Sequence, residues 1–430
     1  MKNAILSFTD NIKDSFRHVQ GNARAGLLTQ PIWSILGNLF TPYVTLYMLA
    51  VGCTNEQVGQ INAIGMVFGT VVAVFAGWLT NRMGRRLANA VGDMLCWVLA
   101  SLLWGLSQNV MWFILAACAK SFMRLSGVAW NCVLSEGTPP EHRVNIFWWI
   151  SIVQTLTTFV TPLMNLLIGP FGLVPAMRWV LIGSSVLLTI AVIIRYSMMR
   201  ELPVGVEQQK AARGESPLAA LKGYLPILKL IFSSPLLLIS ILMRTLYYVQ
   251  VQLKATFMPI TVVHGMGFDN QIIGTLNFVT GAVMLLAQFI LLRRLRTLST
   301  DKALVISLST LAISSLILVV APANSMALLI LSTVLSAAGS VVSAMLVDTS
   351  MANAMPDKER AQLLSLVTVL TVAISAPAMW LGGVLSDLPG IGSRLPMAMI
   401  AVFFAICLAL LWAAAKMKKR SPEQAAETAM

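Results

Sequence analysis

Gly77-Trp78-Leu79-Thr80-Asn81-Arg82-Met83-Gly84-Arg85-Arg86 closes one long apolar run, Val58 to Thr80, and leads directly into another, Leu87 to Leu106. Three arginines and two glycines in so short a connection read as a tight turn at a membrane surface. Glycine lets the helix end turn sharply, and the basic cluster stays on the side where cations are retained. Working outward, runs long enough to cross about 30 Å of hydrocarbon, or about 20 helical residues, recur along the whole chain. The first half gives Leu27 to Val51, Val58 to Thr80, Leu87 to Leu106, Val110 to Leu134, Val144 to Ile168 and Ala176 to Ile194. The second gives Leu236 to Val263, Ile272 to Leu292, Ala303 to Val320, Met326 to Val347, Ala361 to Leu385 and Leu395 to Ala415. The expected fold is an all-α membrane protein of twelve transmembrane helices.

Composition agrees. Of 430 residues, 57% are hydrophobic and 11% charged, against roughly 25% charged in soluble domains, so too little polar surface exists to cover a water-soluble core. The net charge of +13 would point to nucleic acid in a soluble protein. Here the cations sit between apolar runs, which is a topological signal, and no nucleic-acid partner is expected. Arg178 and Arg394 fall on one side of the membrane and Lys120, Arg124, Arg244 and Lys254 inside spans. Every other lysine and arginine falls on the side of the chain ends and even-to-odd loops. That sorting places both termini in the cytoplasm of a multi-pass plasma-membrane protein, of the bacterial inner-membrane type. Met1 to Arg24 is polar and lacks a cleavable signal, and the five cysteines lack metal-ligand spacing. No cofactor is expected.

The longest polar stretch, residues 200–234, reads as a linker between a six-helix half, residues 1–199, and a second, residues 235–430. Pro139-Pro140-Glu141-His142-Arg143 recurs in outline as Pro356-Asp357-Lys358-Glu359-Arg360 after the fourth helix of each half, and aligning the arginines sets Asn131 opposite Asp348. Duplicated halves related by a pseudo-two-fold axis account for this.

The loop after helix two resembles the signature of the major facilitator superfamily, on Gly77, Asn81, Arg82, Gly84, Arg85 and Arg86, and Glu136 followed by Pro139 and Arg143 resembles that family's acidic end of helix four. The resemblance implies the major facilitator fold, a solute transporter rather than an enzyme, and a cytoplasmic charge network that latches one state. Asn81 stands where the family has aspartate, leaving Arg82 and Arg86 to pair with Glu136. The counterpart loop, Arg293-Arg294-Leu295-Arg296, keeps the charge and loses the glycines. Helix five lacks the repeated Gly-Pro pattern of drug and proton antiporters, which lowers a drug or cation exporter to an alternative, beside a lipid flippase or a transporter-like sensor.

Charges inside the spans point to the solute, because each costs about 2.5 to 3.5 kcal/mol at a helix centre on insertion scales. Four are positive, Lys120, Arg124, Arg244 and Lys254, and the single carboxylate within a span, Asp93, lies toward the cytoplasmic half of helix three. By the rise of about 1.5 Å per residue, Lys120 and Arg124 straddle the midplane of helix four, while Arg244 and Lys254 lie about 8 Å and 7 Å to either side of it on helix seven. The resemblance makes helices four and seven face each other across a central cavity. With no carboxylate at the midplane, the expected solute is a small organic anion held by Lys120, Arg124 and Arg244, because guanidinium matches carboxylate, phosphate and sulfonate. Tyr247 and Tyr248 would add hydrogen bonds or stacking, Asn38 and Thr41 on helix one would join them, and Lys254 would either touch the solute or snorkel. The small-residue face of helix ten, Ser332, Ser336, Gly339, Ser340 and Ser343, reads as a packing surface. Anion uptake into a negative cell works against about 2.3 kcal/mol per charge per 100 mV, which calls for a co-transported or exchanged ion, with Asp93 the candidate protonation site. A membrane-embedded enzyme is disfavoured because the spans hold no histidine and no acidic pair at one depth.

Overall fold

The computed structural model describes residues 20–136, 140–214, 235–295, 300–354 and 360–427. Among these, every regular element is helical. The spans are α1 (Gly21–Ala50), α2 (Asn55–Met83), α3 (Arg85–Gly105), α4 (Val110–Ser135), α5 (Pro140–Thr157, continuing to Phe171), α6 (Leu173–Met198), α7 (Pro235–Ile260), α8 (Ile272–Leu295), α9 (Thr300–Val320), α10 (Met326–Ala354), α11 (Arg360–Ser386) and α12 (Leu395–Glu427). Ten are long and apolar enough to cross a membrane, α8 offers the shorter apolar stretch Ile272–Gln288, and α7, whose hydropathy is diluted by Arg244, Gln250, Gln252 and Lys254, completes twelve. Large apolar side chains such as Val67, Leu166, Val320 and Trp412 remain exposed, as a lipid-facing exterior requires.

Sequence chemistry sets the helix ends. Thr54 and Gln57 form a capping box at the start of α2. Gly84, at φ +86, supplies the left-handed residue that separates α2 from α3, so the glycine of the basic loop is required by the backbone. Four spans are irregular along their length. In α1 the segment Thr41–Tyr43 tightens to a 3₁₀ turn at Pro42, α3 widens to a π turn at Met94–Leu99, α4 is interrupted at Phe122, and α5 tightens to 3₁₀ geometry over Thr158–Met164 around Pro162. Several spans outrun their apolar cores: α6 continues to Met198, taking in Arg195, α10 to Ala354, taking in Asp348, and α12 to Glu427.

Within the first six helices, α1 packs on α5 and α6, and α2 and α3 on α4; within the last six, α7 packs on α11 and α12, α8 on α10, and α9 on α10 and α12. Across the two sets, α2 packs on α11 and α5 on α8. The second helix of each set thus meets the fifth of the other, which is the pairing a two-fold axis between them produces. These meetings gather away from the Arg82–Arg86 loop, where α2 and α8 begin and α5 and α11 end. A Cβ on Gly59 would lie 2.5 Å from the Met379 carbonyl oxygen and one on Gly274 3.0 Å from Pro162 Cα. Asn165 Nδ2 donates to the Gln271 carbonyl at 2.9 Å, and Phe159 meets Phe278 edge-on at 5.0 Å. We call this the far end, and the end with the arginine loop the basic end.

Candidate functional site

Between the two sets lies a cavity of about 400 Å³, within the range of small-molecule sites. Its wall draws on α1 (Asn38, Thr41), α7 (Tyr247, Gln250, Lys254), α8 (Asn277, Thr280) and α10 (Ser336, Ser340), with apolar residues from α9 and α12. A second cavity of about 260 Å³ adjoins it on the α1 side, lined by Trp33, Ser34, Trp97 and Gln154, and Asn38 and Thr41 belong to both. The 3₁₀ turn brings them there, and Asn38 Nδ2 is oriented by donating to Thr157 Oγ1 at 3.0 Å. Among the lining residues of the larger cavity Lys254 carries the only charge, and no carboxylate lines it. Its ammonium donates to Ser336 Oγ. Ser336 and Ser340, assigned from sequence to packing, are therefore cavity residues.

The remaining cations do not converge as a single cluster. Lys120 sits 3.3 Å over the ring of Trp97, on a side chain that lines the smaller cavity. Arg124, beyond the interruption at Phe122, is exposed and has no hydrogen bond, ion pair or ring contact among the described residues. Arg244 is paired: its Nε donates to Asp348 Oδ1 at 2.8 Å, the guanidinium lies 4.6 Å over Tyr248, and the Tyr248 hydroxyl donates to Asp348 Oδ2 at 2.9 Å. The expectation that Arg244 lacks a facing carboxylate is thus corrected, because α10 presents Asp348 at its depth. Tyr247 lines the larger cavity and donates to the Ser340 carbonyl at 3.3 Å.

Asp93 is buried and held by Arg195, whose Nη1 approaches Oδ2 at 3.2 Å, while Ser126 donates to Oδ1 at 2.5 Å. Arg195 also donates to Thr29 Oγ1 at 2.8 Å and is layered between Trp33 at 3.4 Å and Trp130 at 4.4 Å. Asp93 is thus committed to Arg195 and is not the partner of Arg124. Arg195 escaped notice because it follows the last apolar residue of the sixth run and reads as a loop cation; the extra turn of α6 carries it inward.

At the basic end, Glu136 accepts from Arg85 Nε at 3.1 Å on both oxygens, and Asn81 Oδ1 accepts from Arg85 Nη1 at 2.9 Å. Arg85, buried at 7% exposure, is thus the partner of Glu136, in place of Arg82 and Arg86. Arg82 lies over Trp78 at 5.1 Å, and Arg86 stacks 3.8 Å over Tyr196 while donating to its carbonyl. Gly77 has open space around its Cα. Glu201, just past α6, accepts from the backbone N–H of Arg85 at 3.0 Å and of Arg86 at 2.9 Å, filling the N-terminus of α3. Pro139, the Arg143 side chain, the Arg293–Arg296 cluster and the 356–359 repeat lie outside the described residues.

Twelve helices in two sets, meeting at one end beside a central cavity whose mainly apolar wall carries a few polar groups, define a polytopic membrane protein of transporter architecture. The family model of the Major Facilitator Superfamily matches residues 27–296 and 241–429, and the chain belongs to that superfamily. No curated protein matches the sequence. Among solved structures, the nucleoside transporter NupG (D323A mutant) is similar at 12% identity and TM-score 0.72, over 91% of this chain and 99% of that one. A D-xylose–proton symporter is similar at 13% identity and TM-score 0.67, over 91% and 95%. A bacterial homolog to the human lysosomal transporter Spinster, in an inward-facing and unoccupied conformation, is similar at 13% and TM-score 0.68, over 92% and 96%. Such distant likeness establishes the fold.

Proposed function

We propose that this protein is a secondary or facilitative transporter that moves a small organic anion by alternating access, the two halves 1–199 and 235–430 rocking about the central cavity on either side of the linker 200–234. The observation that carries the anion is Lys254, the only charged lining residue of the 400 Å³ cavity, fixed by Ser336 and facing no carboxylate there. An ammonium so placed binds an anionic group and rejects a cation. Asn38, Thr41 and Tyr247 supply neutral hydrogen-bonding groups around it. Arg124, exposed and without a partner among the described residues, acts as an electrostatic guide on the path from the basic end, while Lys120 and the Arg244–Asp348 pair set the field around the cavity without lining it. For coupling, Asp348 offers a carboxylate that is more exposed than that of Asp93, which is committed to Arg195. Sorting of lysine and arginine supports an inner-membrane topology with the basic end and both termini cytoplasmic.

Thermal-shift measurements on the purified protein test the reading, with short-chain and aromatic carboxylates, phosphates and sulfonates against pentoses, nucleosides and organic cations, repeated with Lys254→Gln. Stabilisation by one anion class that Lys254→Gln abolishes is expected. Stabilisation only by neutral solutes or cations, or an anion response indifferent to Lys254→Gln, would overturn it.

A further inference from the structure

The start of α2 leaves four backbone N–H groups without intrahelical backbone partners, those of Thr54, Asn55, Glu56 and Gln57. Thr54 N–H donates to Gln57 Oε1 at 3.0 Å and Gln57 N–H donates to Thr54 Oγ1 at 3.2 Å, a box closed within the chain segment itself. The other two are taken by a residue more than three hundred positions away. Asn55 N donates to Asp387 Oδ1 at 3.1 Å, Glu56 N donates to Asp387 Oδ2 at 2.7 Å, and Asn55 Nδ2 adds a third bond to Oδ1 at 2.8 Å. Asp387 lies immediately past the end of α11, so its carboxylate crosses from the second set of helices to fill the positive end of a helix in the first. Trp380 reinforces the join by donating to Glu56 Oε1 at 3.3 Å.

One turn deeper, the helices touch backbone to backbone. A Cβ on Gly59 would stand 2.5 Å from the Met379 carbonyl oxygen, and one on Gly383 would stand 2.7 Å from the Asn55 carbonyl oxygen. Neither neighbour is a flexible side-chain tip, so any larger residue forces the helices apart. Both glycines lie inside long helices, where alanine is the better helix former, which leaves the close approach as their physical justification.

We propose that Asp387, Gly59 and Gly383 form the far-end gate of the transport cycle, a carboxylate latch over a glycine seam that holds the two halves shut at that end and must release before the cavity opens there. Its place in a transport cycle rests on the alternating-access reading; the latch itself is tested without any solute. The capping bonds are charge-assisted but solvent-exposed, so their loss is expected to shift the closed-to-open ratio by about tenfold. An alanine in the seam removes the closed packing altogether.

The test is pulsed EPR on the full chain in nanodiscs, its native cysteines replaced. One spin-label pair at Leu106 and Val320 reports the far end, and a second at Met198 and Lys302 reports the basic end; all four sites are exposed. Asp387→Ala and Gly383→Ala are each expected to add a far-end population longer by about 5 Å or more, with a reciprocal shortening at the basic end, and Asp387→Asn, which keeps one acceptor oxygen, to fall between. Far-end distances unchanged in both Asp387→Ala and Gly383→Ala would overturn the latch, and so would lengthening at the far end without reciprocal movement at the basic end, the mark of local fraying. Because no ligand enters the measurement, a failure to find an anionic solute would count against the proposed function alone.

Discussion

Replacing Arg195 by methionine keeps most of the side chain's volume and removes its charge, and the surroundings fix what that costs. Arg195 and Asp93 expose 5% and 4% of their side chains, so neither charge is rescued by water. With Arg195 gone, Asp93 keeps the Ser126 hydroxyl and the more distant charge of Lys120 but no ion-pair partner, and breaking a buried pair in this way costs about 3 to 5 kcal/mol. The indoles of Trp33 and Trp130 lose their cation as well, at about 0.5 to 2 kcal/mol each depending on desolvation, though part of that term is already contained in the first. Arg195→Met should therefore lower the melting temperature in detergent sharply and reduce the monodisperse fraction on size exclusion. Asp93→Asn alone should also destabilise, because it strands the guanidinium. The double variant removes both charges and should recover most of the loss, giving a coupling energy of about 3 kcal/mol in the cycle. Single variants as stable as the parent, or a double variant showing the sum of the two losses, would refute the assignment of this pair as the electrostatic keystone of the first half.

Arg394 donates to the carbonyls of Gly265 and Ala321, closing the ends of α7 and α9, so Arg394→Ala should destabilise by about 1 to 3 kcal/mol and Arg394→Lys recover only part, read by thermal unfolding. A Cβ on Gly92 would stand 2.8 Å from the Ser126 backbone, so Gly92→Val should separate α3 from α4 and abolish monodisperse expression, whereas Gly77→Ala, in open space, should express normally. Burial pushes the Cys53 thiol, in the turn between α1 and α2, up to about 11. The reactive thiolate is thus scarce below that pH, and maleimide labelling of a variant retaining only Cys53 should keep rising past pH 9 instead of levelling near the ordinary thiol value of about 8.5. Asp348→Asn removes the carboxylate that neutralises Arg244 and makes the field around the cavity more positive, so anion-induced thermal stabilisation should strengthen, read by the same thermal-shift series.

Apolar run lengths carried the fold because bilayer thickness is a one-dimensional constraint that a sequence meets locally. The basic loop was legible for a similar reason: Gly84 must adopt a left-handed backbone and Arg85 follows it. The cavity was less so. Lys254, Tyr247, Asn38 and Thr41 were recognisable as polar groups in apolar helices, but their convergence depends on the break at Thr41–Tyr43, and the separation of Lys120 from Arg124 on the interruption at Phe122. Pairings between distant helices left the weakest trace. Arg244 with Asp348 and Arg195 with Asp93 join residues about a hundred positions apart, and single-sequence periodicity gives no account of which helix faces which. Arg195 was further obscured by position, since a cation just beyond an apolar run reads equally as a loop residue or as the last turn of a longer helix.

The separation between Asp93 and Arg195 also bears on biogenesis. Asp93 leaves the ribosome 102 residues before its partner, so the third helix must enter the bilayer carrying a carboxylate with nothing yet to neutralise it. Three further helices are made before Arg195 emerges at the end of the sixth. Until then the donor already made for it is the Ser126 hydroxyl of the fourth helix. The buried charge pair of the first half is therefore complete only once the last turn of α6 delivers its guanidinium between two indoles.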